Sequence, residues 1–238
     1  MKKVTVVGGG LAGCEAAYQL LRRNIAVRLI EMRPGKMTPA HQSGKLAELV
    51  CSNSFRSKKI ENAPGLLKEE MRLMDSLILK AAEHAEIPAG GALAVDRDQM
   101  SAYVEKTLHA FENFTLVQEE VLSVPYGPVI IATGPLTSEA LFNDICKILD
   151  DEALHFFDAV APIITKESID MDVCYYKNRW EDEAEGDYIN CPMNKDEYDR
   201  FYDTLTQAKT AQVKDFEQNV FEGCMPVEIM ASRGKDTL

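Results

Sequence analysis

Three glycines at fixed spacing restrict this chain more than any other feature. Gly8, Gly10 and Gly13 follow the apolar run at residues 4–7, and residues 11–23 place Ala12, Ala16, Ala17, Leu20 and Leu21 at helical spacing. A second apolar run, residues 26–30, ends at Glu31. Strand, glycine turn, helix, strand and terminal carboxylate in that order predict a βαβ unit built around a dinucleotide. One glycine makes the tight turn, one lets backbone approach a pyrophosphate, and one lets the helix pack closely on the sheet. The free N–H groups and dipole at the helix start favour an anion at residues 10–13. Glu31 lies 18 residues beyond Gly13, where a carboxylate accepts hydrogen bonds from a ribose diol and repels a 2′-phosphate, so FAD or NAD fits better than NADP. An ordinary glycine-rich turn is the alternative that this spacing alone leaves open.

The rest of the N-terminal part continues the alternation. Residues 33–63 form a polar loop with Pro34, Pro39 and Gly44, too long for a mere connector and so a candidate functional loop. Helical spacing over residues 66–84 predicts one helix, with Met71 and Met74 in the core. Residues 92–95 read as a strand, 98–111 as a helix, and 114–117 and 121–124 as two strands around an acidic turn. Residues 128–132 read as a buried strand ending in Thr133 and Gly134, followed by a helix over 138–149 capped by Thr137 or Ser138. The repetition predicts an α/β fold, a doubly wound, Rossmann-like parallel sheet. Beyond about residue 155 aromatic and acidic residues rise, residues 195–208 repeat at helical spacing, and a smaller inserted α+β domain is expected. The expected organisation is 1–154 for the nucleotide-binding domain, 155–216 for the insertion and 217–238 for a return segment. The acidic run at 181–187 reads as a solvated turn.

Composition narrows the function classes. A chain of 238 residues, 46% hydrophobic, can bury a full core. Nothing reaches the 18 apolar residues of a membrane span, and the start has too short an apolar stretch for a signal peptide, so a cytoplasmic protein with no membrane partner is expected. The net charge of −12 argues against an indiscriminate nucleic-acid binder. Its distribution is uneven: residues 1–75 hold 13 Lys/Arg against 7 Asp/Glu, net +6, and the remainder 13 against 31, net −18. Anionic ligands are drawn to the first part, where Arg56, Lys58 and Lys59 cluster, unless those cations only decorate a solvated loop. The six cysteines, Cys14, Cys51, Cys146, Cys174, Cys191 and Cys224, are scattered without metal-ligand spacing, so free thiols and no metal are expected. Cys14 and Cys146 sit at helical core positions. His41 and His84 read as packing or surface residues, and Asn53 and Ser54 either bond a ligand or satisfy their own turn.

Five segments carry a family resemblance: residues 8–17 (GGGLAGCEAA), 46–56 (LAELVCSNSFR), 130–138 (IIATGPLTS), 190–193 (NCPM) and 221–228 (FEGCMPVE). Together they resemble the folate- and FAD-dependent tRNA uridine-54 C5-methyltransferases, the TrmFO family. The first and third segments are shared with many flavoproteins, whereas those around Cys51 and Cys224 are specific. The resemblance implies FAD held by Gly8, Gly9, Gly10, Leu11, Ala12, Gly13, Glu31, Thr133 and Gly134. Methylenetetrahydrofolate and NAD(P)H would be co-substrates, and tRNA the partner. It further implies that Cys224 adds to C6 of the uracil and Cys51 removes the C5 proton, with Asn53 and Arg56 at the substrate. Cys191 is matched as well, and a structural role is expected for it.

The chemistry needs such groups. Uracil C5 is a poor nucleophile until a soft nucleophile adds at C6, and a thiolate is the side chain best suited to that addition. An ordinary thiol, with a pKa of about 8.5, is only slightly ionised at neutral pH, so the site must favour the thiolate. Arg56, Lys58 and Lys59 are candidates to do so for Cys51, whereas Glu222 and Glu228 would oppose it at Cys224. Family members continue well past residue 238, so the C-terminal part of the family fold is expected to be missing and these residues alone to be weakly active or inactive. A ribosomal-RNA uridine methyltransferase, a wobble-uridine modifying flavoprotein and a non-catalytic nucleotide-binding fragment remain as alternatives.

Overall fold

The computed structural model describes residues 3–50, 52–149, 164–178, 186–209 and 227–237. The chain divides into two compact units, Met1–Leu154 and His155–Leu238.

In the first unit, β1 (Lys3–Val7) leads into α1 (Leu11–Leu21) and β2 (Ala26–Glu31). There follow β3 (Ser54–Ser57), α2 (Ala63–Leu73), α3 (Leu77–His84), β4 (Glu86–Ile87), β5 (Ala92–Val95) and α4 (Arg97–His109). The unit closes with β6 (Phe114–Gln118), β7 (Val129–Ile131) and α5 (Glu139–Leu149). Strands β6, β2, β1 and β7 form one parallel sheet in that order. In order of appearance they stand third, second, first and fourth, so the winding reverses between β1 and β7. That reversal opens a crevice at the carboxyl ends of those two strands. The segment between β2 and β6 adds a small antiparallel sheet, β3-β5-β4. The fold is α/β with a doubly wound parallel sheet.

Its core explains why these residues form these elements. Val6, Val27 and Leu29 leave the sheet with essentially no exposure, and α1 meets them with Cys14, Ala17 and Leu21. Small residues on α1 let the helix axis approach the strands, and α3 and α4 close the cluster with Leu77, Ala81, Ala82, Met100, Val104 and Leu108. Each fully buried aliphatic side chain contributes about 1.5–3 kcal/mol of transfer free energy.

Four local expectations are corrected. The helix over 66–84 is two helices, because Asp75 adopts a left-handed backbone (φ +62°) and Ser76 caps α3 by accepting a hydrogen bond from the Leu79 N–H. Met74 sits at that break and is exposed, as is Leu67, whereas Met71 packs partly against the core. Residues 121–124 form no strand: the Val124 N–H donates to the Asp144 carboxylate on α5 and Leu122 is exposed, so a side chain satisfies backbone that lacks a neighbouring strand. The strand at residues 128–132 is shorter and less buried than its composition implies, because β7 pairs only with β1 among the described strands and its Ile130 is 36% exposed. Helix α5 is oriented by Leu141, its one fully buried residue.

The second unit contains a hairpin, β8 (Tyr175–Tyr176) against β9 (Ile189–Asn190), and the helices α6 (Lys195–Gln207) and α7 (Val227–Ser232). A reciprocal cap starts α6: the Asn194 side chain accepts from the Glu197 N–H, and Glu197 accepts from the Asn194 N–H. Tyr198 and Tyr202 donate from α6 to the carbonyls of Lys235 and Ala231, at 2.6 and 3.0 Å, tying the segments 195–207 and 227–237 together. The aromatic residues at 156–157 and 180, the acidic residues 181–185 and the chain around Phe221 lie outside the described residues. No described helix is long and apolar enough to cross a membrane.

Candidate functional site

The crevice between β1 and β7 is a cavity of about 290 Å³ whose walls come from four separate stretches of chain. Gly8 leaves β1 at φ +102°, and a Cβ there would lie 2.5 Å from the Ala132 carbonyl oxygen, so the turn admits only glycine. A Cβ on Gly13 would lie 1.8 Å from the Gly8 oxygen, which is how α1 closes on the strand. Gly10 differs: a Cβ there meets nothing within 4 Å, and the residue lines the cavity with Leu11 and Ala12. As the N-cap of α1, Gly10 provides no side chain to cover the helix's first N–H groups, and no acidic residue occupies the first turn. Those donors and the dipole behind them suit an anion.

Glu31, at the end of β2, is held by three protein donors. Its Oε2 accepts from the Gly9 N–H at 2.7 Å, and its Oε1 accepts from the Arg33 N–H at 3.0 Å and the Arg33 Nε at 2.9 Å. Burial alone would raise this carboxyl, but the bonds from Arg33 and Gly9 outweigh it and keep Glu31 below the usual carboxylate range. A carboxylate offers about four lone-pair sites. One remains on Oε2, so a ribose diol can gain one hydrogen bond from Glu31 rather than two.

Arg33, 1% exposed, links this carboxylate to a second one: its Nη1 lies 2.9 Å from Glu48 Oε2. Glu48 also accepts from the N–H groups of Gln42 and Ser43 and from the Ser43 hydroxyl. These bonds overcome its burial and lower its pKa. The polar loop after β2 is thereby folded onto the cavity by ionic bonds to Arg33. His41 comes with it, its Nδ1 2.6 Å from the Thr38 hydroxyl, and both residues line the cavity. Burial, then the charge of Arg33, lowers the His41 pKa, so the ring is neutral at physiological pH. Across the cavity, Thr133 follows β7 and its hydroxyl lies 2.6 Å from that of Thr137, which donates to the Gly134 carbonyl at 2.7 Å. Gly134 takes φ +62° to start this tight turn. The arrangement fits a dinucleotide: uncapped helix N–H groups beside an unobstructed glycine, and a carboxylate with a free lone pair at the end of the second strand.

A family model described as glucose inhibited division protein A matches residues 3–238. The chain belongs to this family. Among relatives of this GidA-family chain, the methylenetetrahydrofolate–tRNA-(uracil-5-)-methyltransferase TrmFO of Lactobacillus helveticus is 57% identical over 239 residues, covering 100% of the chain and 58% of the relative. The enzyme of the same name from Staphylococcus carnosus is 57% identical over 99% of the chain and 54% of its own length. The chain spans about half the length of the curated relatives it matches. Among solved structures, Aquifex aeolicus GidA matches 52% of the chain and 20% of its own at 20% identity, TM-score 0.42. The GidA-related protein of Thermus thermophilus matches 62% of the chain and 68% of its own at 17% identity, TM-score 0.36.

In this GidA-family chain, Gly8, Gly10, Leu11, Ala12, Glu31, Thr133 and Gly134 line one cavity. Gly9 stands behind it, and Gly13 packs against the turn. Asn53 and Arg56 are not among the lining residues. The Asn53 side-chain N–H donates to the Val95 carbonyl at 3.1 Å, Ser54 accepts from the Arg56 N–H, and Arg56 is exposed at φ +64° on β3. Cys51 and Cys224 lie outside the described residues. Cys14 is a core thiol: it donates to the Gly9 carbonyl, and burial pushes its pKa up to about 12. Cys146 is half-buried. His84 packs against Tyr103 with ring centroids 4.8 Å apart and the rings tilted by 38°. Sequence reasoning missed Arg33 and Glu48. The available signal was an arginine two residues after the strand-terminal carboxylate, within reach of the same oxygen.

Proposed function

We propose that the protein acts as a methylenetetrahydrofolate-dependent tRNA uracil-C5 methyltransferase and that FAD occupies the cavity between β1 and β7. The observation that carries this reading is 57% identity over the whole chain to proteins named for that reaction, joined to a dinucleotide-shaped turn at the switch point of the sheet. The N–H groups at the start of α1 would hold the pyrophosphate, with Gly10 leaving room for its approach. Glu31 would accept one ribose hydroxyl through its remaining lone pair, and Thr133 and Gly134 would border the cofactor from β7. When bound, the reduced flavin supplies electrons that take the transferred one-carbon unit to a methyl group; NAD(P)H would regenerate it.

The remaining steps belong to protein thiols. Cys224 adds to C6 of the uracil at position 54 of the T-loop, making C5 nucleophilic, and Cys51 removes the C5 proton once the carbon is attached. Asn53 and Arg56 follow Cys51 in sequence, just before and on β3, and are proposed to meet the substrate. The organisation into 1–154, 155–216 and 217–238 is part of the same proposal.

The test is incubation with a T-loop hairpin RNA carrying 5-fluorouridine, with the Lactobacillus helveticus relative as positive control. A covalent adduct that survives Cys51→Ala and disappears with Cys224→Ala is the expected result. No adduct, with the control active, leaves the reading of a non-catalytic nucleotide-binding fragment for these residues. A preparation that stays free of flavin after addition of FAD shows that these residues do not hold the cofactor without the rest of the family fold.

A further inference from the structure

The second unit holds two thiols that the proposed reaction does not use. Tyr175 of β8 stands opposite Asn190 of β9, and Tyr176 opposite Ile189. Continued by one residue, the same register sets Cys174 directly opposite Cys191, and their sulfurs are 3.3 Å apart. The Lys177 N–H donates to the Tyr188 carbonyl at 2.9 Å, so that pair is a hydrogen-bonded one. Bonded and non-bonded pairs alternate along an antiparallel ladder, which makes Cys174 and Cys191 a non-bonded pair, where facing side chains come closest. The Cα separation at such a position, about 4.5 Å, falls inside the range of about 4.4–6.8 Å that a disulfide requires. Cys191 is exposed and Cys174 half-buried, so a small reagent reaches the pair without any opening of the core.

We propose that Cys174 and Cys191 form a redox-addressable dithiol that low-molecular-weight disulfides of the glutathione class oxidise to a cross-strand disulfide. The Cys191 thiolate attacks one sulfur of the small disulfide and expels one small thiolate, leaving a mixed disulfide on the protein. Cys174, as thiolate, attacks the Cys191 sulfur and expels the second. One small disulfide bond breaks and the Cys174–Cys191 bond forms. Two electrons pass from the protein to the small disulfide, and the two thiol protons end on the two released small thiols. Oxidation closes covalently a loop that contains the acidic residues 181–187, and an exposed cross-link of this kind remains open to reduction by the same class of thiol.

The experiment uses the whole chain, reduced, desalted and treated with excess oxidised glutathione. The reaction is then quenched with acid and the remaining thiols alkylated for intact-mass measurement and peptide mapping. The expected product is lighter by two hydrogens, carries no glutathione at either position and yields one peptide pair joined through Cys174 and Cys191. In Cys174→Ser the reaction stops at the mixed disulfide on Cys191. Three results overturn the proposal: recovery of both residues as free thiols, a lasting glutathione adduct on Cys191 of the unaltered chain, or a cross-link from either residue to another cysteine. The map of the unaltered chain decides the matter even if the variant folds poorly, and because no RNA or flavin is involved the result is independent of the methyltransferase proposal.

Discussion

Replacing Arg33 by Met tests whether buried charge holds the nucleotide cavity together. The guanidinium lies 2.9 Å from each of two carboxylates, and the three side chains are 2%, 8% and 13% exposed for Arg33, Glu31 and Glu48. Methionine fills much of the volume but leaves the carboxylates near one another with no cation between them. Removing one partner of a buried ion pair costs about 3–5 kcal/mol. At about 2–4 °C per kcal/mol for a chain of this size, the melting temperature near neutral pH should fall by about 6–20 °C. The effect should also depend on pH in a defined sense. Glu31 and Glu48 titrate below the ordinary carboxylate range in the folded protein. The stability they contribute is therefore present above the unfolded carboxylate pKa and is lost as pH falls through their folded values. Without Arg33, burial and mutual repulsion push the Glu31 carboxyl up, and protonation relieves the variant at a pH where the unaltered protein begins to lose its own stabilisation. The gap between the two should narrow as pH falls from about 7 to about 4. Thermal melts at constant ionic strength across that range measure it. A gap under about 2 °C at neutral pH, or one that does not change with pH, would refute the coupling of these charges.

Three further outcomes follow from the same structure. Gly13→Ala forces a Cβ into the Gly8 carbonyl and should cost at least about 1–3 kcal/mol in a chemical denaturation curve. Gly10→Ala meets open space, so it should shift stability by under about 1 kcal/mol while weakening FAD binding in a fluorescence titration; equal losses of stability in the two would contradict the roles assigned to these glycines. Cys14, with its pKa pushed up to about 12 by burial, should be silent to a thiol-disulfide reagent in the folded protein and react fully after denaturation. Reaction of Cys14 at native pH at the rate of a free thiol would show that α1 does not pack as described.

The strand, glycine turn, helix and strand around residues 8–31 were legible in the sequence because each depends on neighbours a few residues away: helical spacing, alternation, and the steric allowance at Gly8 and Gly13. Residues 114–117 and 195–208 were readable for the same reason. Residues 121–124 and the break at Asp75 were misread where tertiary context overruled composition, through the Asp144 carboxylate in one case and the Ser76 cap in the other. The site itself required the fold. Residues 132–134 reach Gly8 only because β7 adds to the sheet beside β1, more than a hundred residues away in sequence. Arg33, Glu48 and His41 meet at the cavity because a loop with no periodicity is drawn in by buried ionic bonds, and Cys174 faces Cys191 because of strand register. Local pattern thus determined most helices and strands of the first unit and the glycine turn that follows β1. Long-range packing decided which distant groups share a cavity, because such pairings depend on sheet order and burial and leave no mark on local sequence.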